Sequence, residues 1–190
     1  EIARYMRETY GVSNEKTALA ITIANREKAL LQDLDYENGY SLYVGIPFCP
    51  SICLYCSFGS HPLERWTKRV DEYLDTLCKE LTFIREQMGT RKLTTVYIGG
   101  GTPTTLEPEQ LRRLLSHIQE TFDFTWVKEY TVEAGRPDSI TREKLQVMKE
   151  FPVTRISVNP QTMNQKTLDV IGRKHTVEDT VNIFHMAREL

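Results

Sequence analysis

The most informative stretch of the chain is Tyr43-Val-Gly-Ile-Pro-Phe-Cys49-Pro-Ser-Ile-Cys53-Leu-Tyr-Cys56. It begins as a run of strand-forming residues that ends at Ile46, and it continues into a segment with the spacing Cys-x3-Cys-x2-Cys. The two prolines keep this segment out of a helix, so the three thiol groups can converge instead of pointing outward around a helix axis. The stretch therefore predicts a strand followed by a loop that wraps one inorganic group.

Two inorganic groups suit three cysteines on a short loop. An iron–sulfur cluster usually takes four Cys ligands, so three would leave one iron of a [4Fe–4S] cube open to an outside ligand. The alternative is a structural zinc ion with His61 or Cys78 as its fourth ligand, and a third interpretation leaves the thiols unliganded. The spacing favours the cluster because structural zinc sites are typically built from paired Cys-x2-Cys knuckles. Cys78 stands beside Leu77 in a helical pattern and is predicted to be a packed thiol.

Beyond this loop, short apolar strands alternate with amphipathic helices. Strands are predicted at 41–46, 94–98, 130–132 and 153–158, and helices at 66–88, 108–122, 141–148, 164–172 and from 176 onward. Strands that are apolar almost throughout indicate a parallel sheet with helices packed on it. Because a closed eight-unit barrel needs about 250 residues, the sequence predicts an incomplete α/β barrel.

The N-terminal part of the chain has a different pattern. Residues 1–38 contain many Ala and charged residues without strand alternation, which predicts helix, with Ser13 or Asn14 as an N-cap. Asn38-Gly39 then breaks the pattern. We therefore expect a helical tail of a preceding segment at 1–38 and a truncated barrel at 39–190.

The composition excludes several classes of function. The chain has 190 residues with 24 Lys and Arg against 26 Asp and Glu, so its net charge of −2 gives no basic surface for nucleic acid or anionic membranes. No apolar run approaches the roughly 18 residues of a membrane span. The 4 cysteines are too few for a disulfide scaffold, which predicts a cytoplasmic protein whose thiols stay reduced.

Polar or glycine-rich residues follow each of the other three predicted strands. The Gly-Gly-Gly-Thr run at 99–102 either lets a ligand approach the backbone closely or forms a tight turn. Glu133 ends the third strand, either as an exposed polar residue or as an acceptor for ribose hydroxyls or an ammonium group. Gln161 follows the fourth strand and either binds a polar ligand or caps a turn. Arg173 either binds a carboxylate or interacts favourably with the negative, C-terminal end of a helix dipole.

The placement of these residues links them. Four features each come immediately after a predicted strand: the cysteine loop (49–56), the glycine run (99–102), Glu133 and Gln161. The carboxyl ends of parallel strands meet at one edge of a sheet, where α/β barrels build their sites. Four separate signals at that edge predict an iron–sulfur cluster beside a small polar cofactor.

These motifs resemble those of the radical S-adenosylmethionine (SAM) superfamily, which joins a Cys-x3-Cys-x2-Cys loop to a Gly-Gly-Gly-Thr-Pro run. The segments similar to its oxygen-independent coproporphyrinogen III oxidase family are 43–49, 99–104, 132–134, 155–161 and 171–176. Cys-Leu-Tyr-Cys-Ser-Phe and Val-Glu-Ala-Gly-Arg-Pro-Asp are most similar to its HemZ branch. The resemblance covers about residues 40–176 and implies an α/β fold, a partial (β/α) TIM-like barrel with about four of six βα units present.

The resemblance also implies roles for individual residues. The implied ligands of a [4Fe–4S] cluster, whose open iron takes the amino and carboxylate groups of SAM, are Cys49, Cys53 and Cys56. The implied SAM contacts are Tyr43, Gly100 and Glu133, of which Tyr43 and Glu133 are the candidate catalytic residues. We expect Gly99, in the same glycine run, to bind the cofactor as well. The residues implied to contact a second SAM molecule are Tyr55, Gly101, Thr102, Gln161 and Arg173.

The reaction implied by the resemblance is the oxidative decarboxylation of coproporphyrinogen III, in which propionate side chains become vinyl groups during haem biosynthesis. The implied partners are a porphyrinogen or haem-type substrate and a reductant protein such as flavodoxin or ferredoxin. Oxidases of the family carry a further Cys two residues after the third ligand, where this chain has Phe58. Haem-chaperone relatives also have Phe there, so a protein that binds haem without decarboxylation is the alternative.

Overall fold

The computed structural model describes residues 1–32, 34–35, 37–59 and 61–190. These residues form two compact units, Glu1–Gly39 and Tyr40–Leu190. In the described part of the chain, no helix combines the length and the apolar character that crossing a membrane requires.

The first unit consists of two helices, α1 (Ile2–Tyr10) and α2 (Asn14–Leu31). Gly11 ends α1 by taking a left-handed conformation with φ 63°, which costs glycine little because it has no Cβ. The hydroxyl of Ser13 accepts a hydrogen bond from the backbone N–H of Lys16 at 3.2 Å. Ser13 is therefore confirmed as the N-cap of α2.

The rest of the chain alternates strands and helices. Its strands are β1 (Gly39–Ile46), β2 (Phe48–Cys49), β3 (His61–Pro62), β4 (Lys92–Gly100), β5 (Glu129–Ala134) and β6 (Arg155–Val158). Its helices are α3 (Leu63–Trp66), α4 (Val70–Met88), α5 (Pro108–Thr121), α6 (Arg142–Lys149), α7 (Gln165–Val170) and α8 (Val177–Glu189). The four predicted strands are confirmed as β1, β4, β5 and β6, with ends that differ by a few residues.

The four longer strands form one sheet in the order β1-β4-β5-β6. Strand β4 pairs in parallel with β5 in the register Val96↔Tyr130, and β5 pairs in parallel with β6 in the register Val132↔Ile156. Parallel neighbours need a crossover connection, which α5 and α6 supply here. The predicted α/β fold with a parallel sheet is confirmed, and it brings the segments that follow these strands to one edge.

The segment between β1 and α4 differs from the prediction of one continuous helix over 66–88. A short helix ends at Trp66, a 3-10 turn follows, and α4 begins only at Val70. The hydroxyl of Thr67 donates to the carbonyl of Leu63 at 2.8 Å, and such side-chain bonds to the preceding turn tend to bend helices. The ring of Trp66 packs on that of His61, with centroids 4.9 Å apart, and also against the hydrophobic core.

The core lies between the sheet and the helices α4, α5 and α6. Helix α5 shows most clearly why these residues form an amphipathic helix. Its fully buried side chains recur at spacings of three and four, which places them on one face; they are Leu111, Leu114, Leu115 and Ile118.

Shortening one of these side chains should destabilise the second unit. We expect Leu114→Ala to lower the free energy of unfolding by about 2–5 kcal/mol, because it removes buried apolar groups and leaves a cavity. The matched control is Phe83→Ala on α4, where the side chain is exposed and the expected change is below about 1 kcal/mol. Urea unfolding followed by circular dichroism measures both values, and equal losses would contradict this assignment of the core.

Candidate functional site

A cavity of about 210 Å³ is lined by residues that lie at or just beyond the carboxyl ends of the parallel strands. The lining residues from the cysteine loop and the glycine run are Cys49, Cys53, Tyr55, Cys56 and residues 100–102. From β5 and the later loops it receives Glu133, Gln161 and Arg173. Two predicted site residues lie beside it: Tyr43 lines a neighbouring pocket, and Gly99 packs against Glu133.

Two of the three cysteines of the loop are almost fully buried. Cys49 is 9% exposed and Cys53 is 8% exposed, while Cys56 is half-buried, and all three are free thiols. The hydroxyl of Thr102 donates to Sγ of Cys49 at 3.4 Å, and Nη1 of Arg136 donates to Sγ of Cys53 at 3.5 Å. These two contacts fix the positions of the Cys49 and Cys53 sulfurs at the cavity.

The three thiols of the loop line one cavity, which suits the ligands of a cluster. Within the described residues, no group of three His, Cys, Asp or Glu side chains is arranged to hold a metal ion. Neither residue considered as a fourth zinc ligand lines this cavity, since the His61 ring packs against Trp66 and Cys78 lies on α4. A [4Fe–4S] cube takes its thiolates at separate iron atoms, so its ligands need to face one cavity instead of meeting at one point. The three cysteines of the loop meet that requirement.

The glycine run packs directly against the cysteine loop. The N–H of Gly101 donates to the carbonyl of Ile46 at 2.7 Å. A Cβ added at Gly101 would lie 2.7 Å from the carbonyl oxygen of Phe48 and 3.0 Å from Sγ of Cys49. Gly100 has φ 99°, a conformation that residues with a side chain rarely adopt. The sequence predicts that a ligand approaches the backbone of this glycine run closely. In the structure, the backbone of residues 46–48 also packs closely against it.

Glu133 is held by Tyr97 of the neighbouring strand β4, and Tyr43 of β1 packs on that tyrosine. The hydroxyl of Tyr97 donates to Oε1 of Glu133 at 2.5 Å, and the ring of Tyr43 stacks on that of Tyr97 with centroids 5.9 Å apart. Gly99 makes room for this pair, because an added Cβ would lie 2.7 Å from the Tyr97 ring and 3.0 Å from Oε2 of Glu133. The hydrogen bond to Glu133, together with burial, raises the pKa of Tyr97 to about 12, so its hydroxyl remains a donor.

Tyr97 is not among the site residues that the sequence predicted. Its side chain belongs to β4, where it is paired with Thr131 of β5, and Glu133 lies two residues farther along the same strand. Side chains two apart on a strand share a face, so the cross-strand register was the signal that could have found it.

Arg173 faces the cavity from the loop after α7. Gly172 takes φ 76° at the end of that helix, and Arg173 is only 9% exposed. Its Nη1 donates to the carbonyl of Gly135 at 3.2 Å and its Nη2 to the hydroxyl of Tyr55 at 3.0 Å. Among the described residues, none accepts a hydrogen bond from Nε of Arg173. A buried donor without a partner is costly, so this guanidinium is suited to an anionic ligand.

Gln161 lies in the loop after β6 in a strained conformation. Its φ is 60°, in the left-handed region that residues other than glycine enter at a cost of about 1 kcal/mol or more. Its backbone N–H donates to Oδ1 of Asn159 at 2.9 Å, which holds the turn. Such conformations persist where the surrounding structure fixes them, and they are common at functional sites.

A buried charged group behind the cysteine loop was also missed. Arg136 is 3% exposed, and its Nε and Nη2 donate to the two carboxylate oxygens of Asp138 at 2.9 and 2.8 Å. Burial works to lower the pKa of Arg136, but the hydrogen bonds and charge of Asp138 outweigh it and raise that pKa. Nδ1 of the buried His175 lies 3.9 Å from Asp138, and burial lowers the pKa of this histidine. The loop sequence gave no signal for this burial.

Comparison with known proteins agrees with this geometry. Residues 43–190 match the Radical SAM superfamily. The chain is 40% identical over 188 residues to the oxygen-independent coproporphyrinogen-III oxidase-like protein HemZ of Bacillus subtilis (strain 168), an alignment that covers 97% of this chain and 38% of the relative. It is also 40% identical over 151 residues to the haem chaperone HemW of the same organism, covering 79% of this chain and 39% of the relative.

A solved structure is similar as well. The coproporphyrinogen III oxidase HemN of Escherichia coli, described as a radical SAM enzyme, superposes with a TM-score of 0.73 and 30% identity. The superposition covers 85% of this chain and 37% of that chain, and this chain spans about two-fifths of the length of the curated relatives it matches. Because the family match extends from the first strand to residue 190, the chain belongs to the radical SAM superfamily.

Proposed function

We propose that this chain is the cluster-binding core of a protein that decarboxylates coproporphyrinogen III oxidatively without oxygen. The observation that carries the proposal is the cavity at which the three cysteines of the loop, residues 100–102 and Glu133 meet. Membership of the superfamily implies a [4Fe–4S] cluster and SAM, and the relatives named HemZ and HemN support porphyrin chemistry.

The cysteine loop would hold the cluster. Cys49, Cys53 and Cys56 supply three thiolates, and the donors on Thr102 and Arg136 compensate part of the negative charge on two of them. The loop is closed at its base, where Phe48 pairs with His61. Three ligands leave one iron free for SAM.

The residues around Glu133 would bind the SAM molecule on that iron. The Glu133 carboxylate accepts from an ammonium or ribose hydroxyl group, and Tyr97 fixes its orientation through the bond at 2.5 Å. Tyr43 and the open backbone at Gly100 would form the adjoining wall. When bound, the cluster and SAM would supply the radical that removes a hydrogen atom from a propionate side chain, and loss of CO2 with transfer of one electron to an external acceptor would leave a vinyl group.

A second SAM molecule would lie on the other side of the cavity. Within the described residues, Nε of Arg173 has no acceptor, which suits the carboxylate of that molecule. Tyr55 accepts from Arg173 and keeps a hydroxyl hydrogen to donate. Gln161 adds a side-chain amide, and residues 101–102 complete the wall.

A haem-chaperone function is the second candidate, and Phe58 favours it. The Phe58 side chain is 70% exposed and lines both the cavity and the neighbouring pocket. Oxidases of the family carry a thiol at this position, whereas haem-chaperone relatives carry Phe as this chain does. The Phe58 ring also offers an apolar surface to a flat macrocycle.

Removing the charge of Glu133 should weaken SAM binding. We expect Glu133→Gln to lower SAM affinity roughly ten- to a hundredfold, because a hydrogen bond to a charged group contributes about 1.5–3 kcal/mol. Isothermal titration calorimetry of the anaerobically reconstituted protein measures this. Glu129→Gln on the same strand, whose carboxylate pairs with Arg155, is the matched control and should bind SAM as the wild type does. Equal affinity of the Glu133 variant and the wild type would contradict the assigned role.

The activity is tested with the complete protein that contains this chain. Incubated anaerobically with coproporphyrinogen III, SAM and a reductant, it should release CO2 and 5′-deoxyadenosine. Stable haem binding without CO2 would overturn the decarboxylase function and support the chaperone.

We further propose that a low-potential protein such as flavodoxin or ferredoxin supplies the electron in the cytoplasm, where the free thiols of the loop stay reduced.

A further inference from the structure

The buried guanidinium of Arg136 contacts the cysteine loop from behind. Its Nη1 donates to Sγ of Cys53 at 3.5 Å and to the carbonyl of Ser51 at 3.2 Å, and its Nη2 donates to the hydroxyl of Ser51 at 3.1 Å. The bidentate pair with Asp138 occupies Nε and the other position of Nη2. All three guanidinium nitrogens are therefore used, and one of them is directed at a candidate cluster ligand.

The two charges of this pair are not placed equally with respect to the sulfur. The carboxylate of Asp138 accepts from Nε and Nη2 of the guanidinium, whereas the sulfur of Cys53 accepts from Nη1. The positive charge is thus in direct contact with the ligand, and the carboxylate acts on it through Arg136. A buried ion pair contributes little to stability compared with apolar packing of the same volume, so stability alone does not explain why it is here.

We infer that Arg136 is a positioning residue that raises the reduction potential of the cluster through Sγ of Cys53, and that Asp138 orients it and limits the effect. This inference rests on the proposed cluster. Reduction adds one negative charge to the cluster, and a donor and positive charge beside a ligand sulfur stabilise that state. Asp138 opposes this effect because its charge has the other sign.

The test is a potentiometric titration of the anaerobically reconstituted protein, followed by the electron paramagnetic resonance signal of the reduced cluster. We expect Arg136→Gln to lower the ratio of reduced to oxidised cluster about tenfold at the potential where the wild type is half reduced, a shift of about 59 mV to more negative values. Arg136→Lys should remain close to the wild type because it keeps the charge. Asp138→Asn should shift the potential in the opposite direction.

The outcomes separate this inference from the proposed function. A wild-type protein without iron and sulfide would refute the cluster itself. A wild-type cluster whose potential is unchanged by Arg136→Gln would overturn the inference alone. If Arg136→Gln does not assemble a cluster, the Asp138→Asn variant tests the inference instead. A reduction potential in that variant equal to, or more negative than, that of the wild type would contradict the assigned charge effect. Arg142→Gln, which removes an exposed arginine paired with Glu189, is the matched control and should leave the potential unchanged.

Discussion

Cys49→Ala is expected to abolish the cluster. The wild-type chain should bind about four iron atoms and four sulfides after anaerobic reconstitution, with the broad visible absorption of a [4Fe–4S] centre. Removing the Cys49 sulfur, which accepts from Thr102 and lies against Gly101, leaves too few thiolates for a stable cube. We expect iron content to fall to background and the absorption to disappear.

The matched control for this variant is Cys78→Ala. Cys78 is also a free cysteine, but it is only half-buried, lies on α4 and does not line the cavity. Burial raises the pKa of the Cys78 thiol, which disfavours the thiolate that metals bind. Iron content should match the wild type in this variant. Unchanged iron in Cys49→Ala, or the same loss in both variants, would refute the ligand assignment.

Gly101→Ala is expected to disrupt both the fold of the site and the assembly of the cluster. The added Cβ would lie 2.7 Å from the carbonyl oxygen of Phe48 and 3.0 Å from that of Ile46, and backbone cannot rotate away as a side chain can. The third close atom is Sγ of Cys49 at 3.0 Å, so relief of the clash must displace the cysteine loop. We expect the free energy of unfolding to fall by about 1–3 kcal/mol and the iron content to fall well below that of the wild type.

Gly59→Ala provides the comparison, because an added Cβ there meets no atom of the described residues within 4 Å. Gly59 also lacks a left-handed backbone conformation, so alanine is tolerated without strain. Its stability and iron content should equal or exceed those of the wild type. Normal iron content in Gly101→Ala would show that the glycine run does not support the cysteine loop.

Much of the site could be predicted because it follows from strand order. Hydrophobic periodicity located the strands, and the carboxyl ends of parallel strands share one edge, so loops distant in sequence were expected together. The structure places Cys49, Gly101, Glu133 and Gln161 around one cavity, as this argument requires. Their roles toward a cluster and SAM stay predictions, as does the assignment of residues 1–38 to a preceding segment.

The rest of the site depends on three-dimensional contacts that no local pattern carries. Tyr97 looks like an ordinary strand residue until the register of β4 and β5 brings it to Glu133. Arg136 lies in a loop, and its burial requires the cysteine loop to fold over it. Gln161 takes φ 60° because of the turn it occupies. The backbone preference of glutamine does not favour this left-handed conformation.

The central claim is that SAM binds the iron that the three cysteines leave free. It is tested most directly by electron–nuclear double resonance of the reduced protein with SAM isotopically labelled at its amino nitrogen. We predict a hyperfine coupling between the label and the cluster, present in the wild type and lost in Cys49→Ala. A cluster with its full iron content that shows no coupling to the label, at SAM concentrations that saturate binding, would contradict the claim.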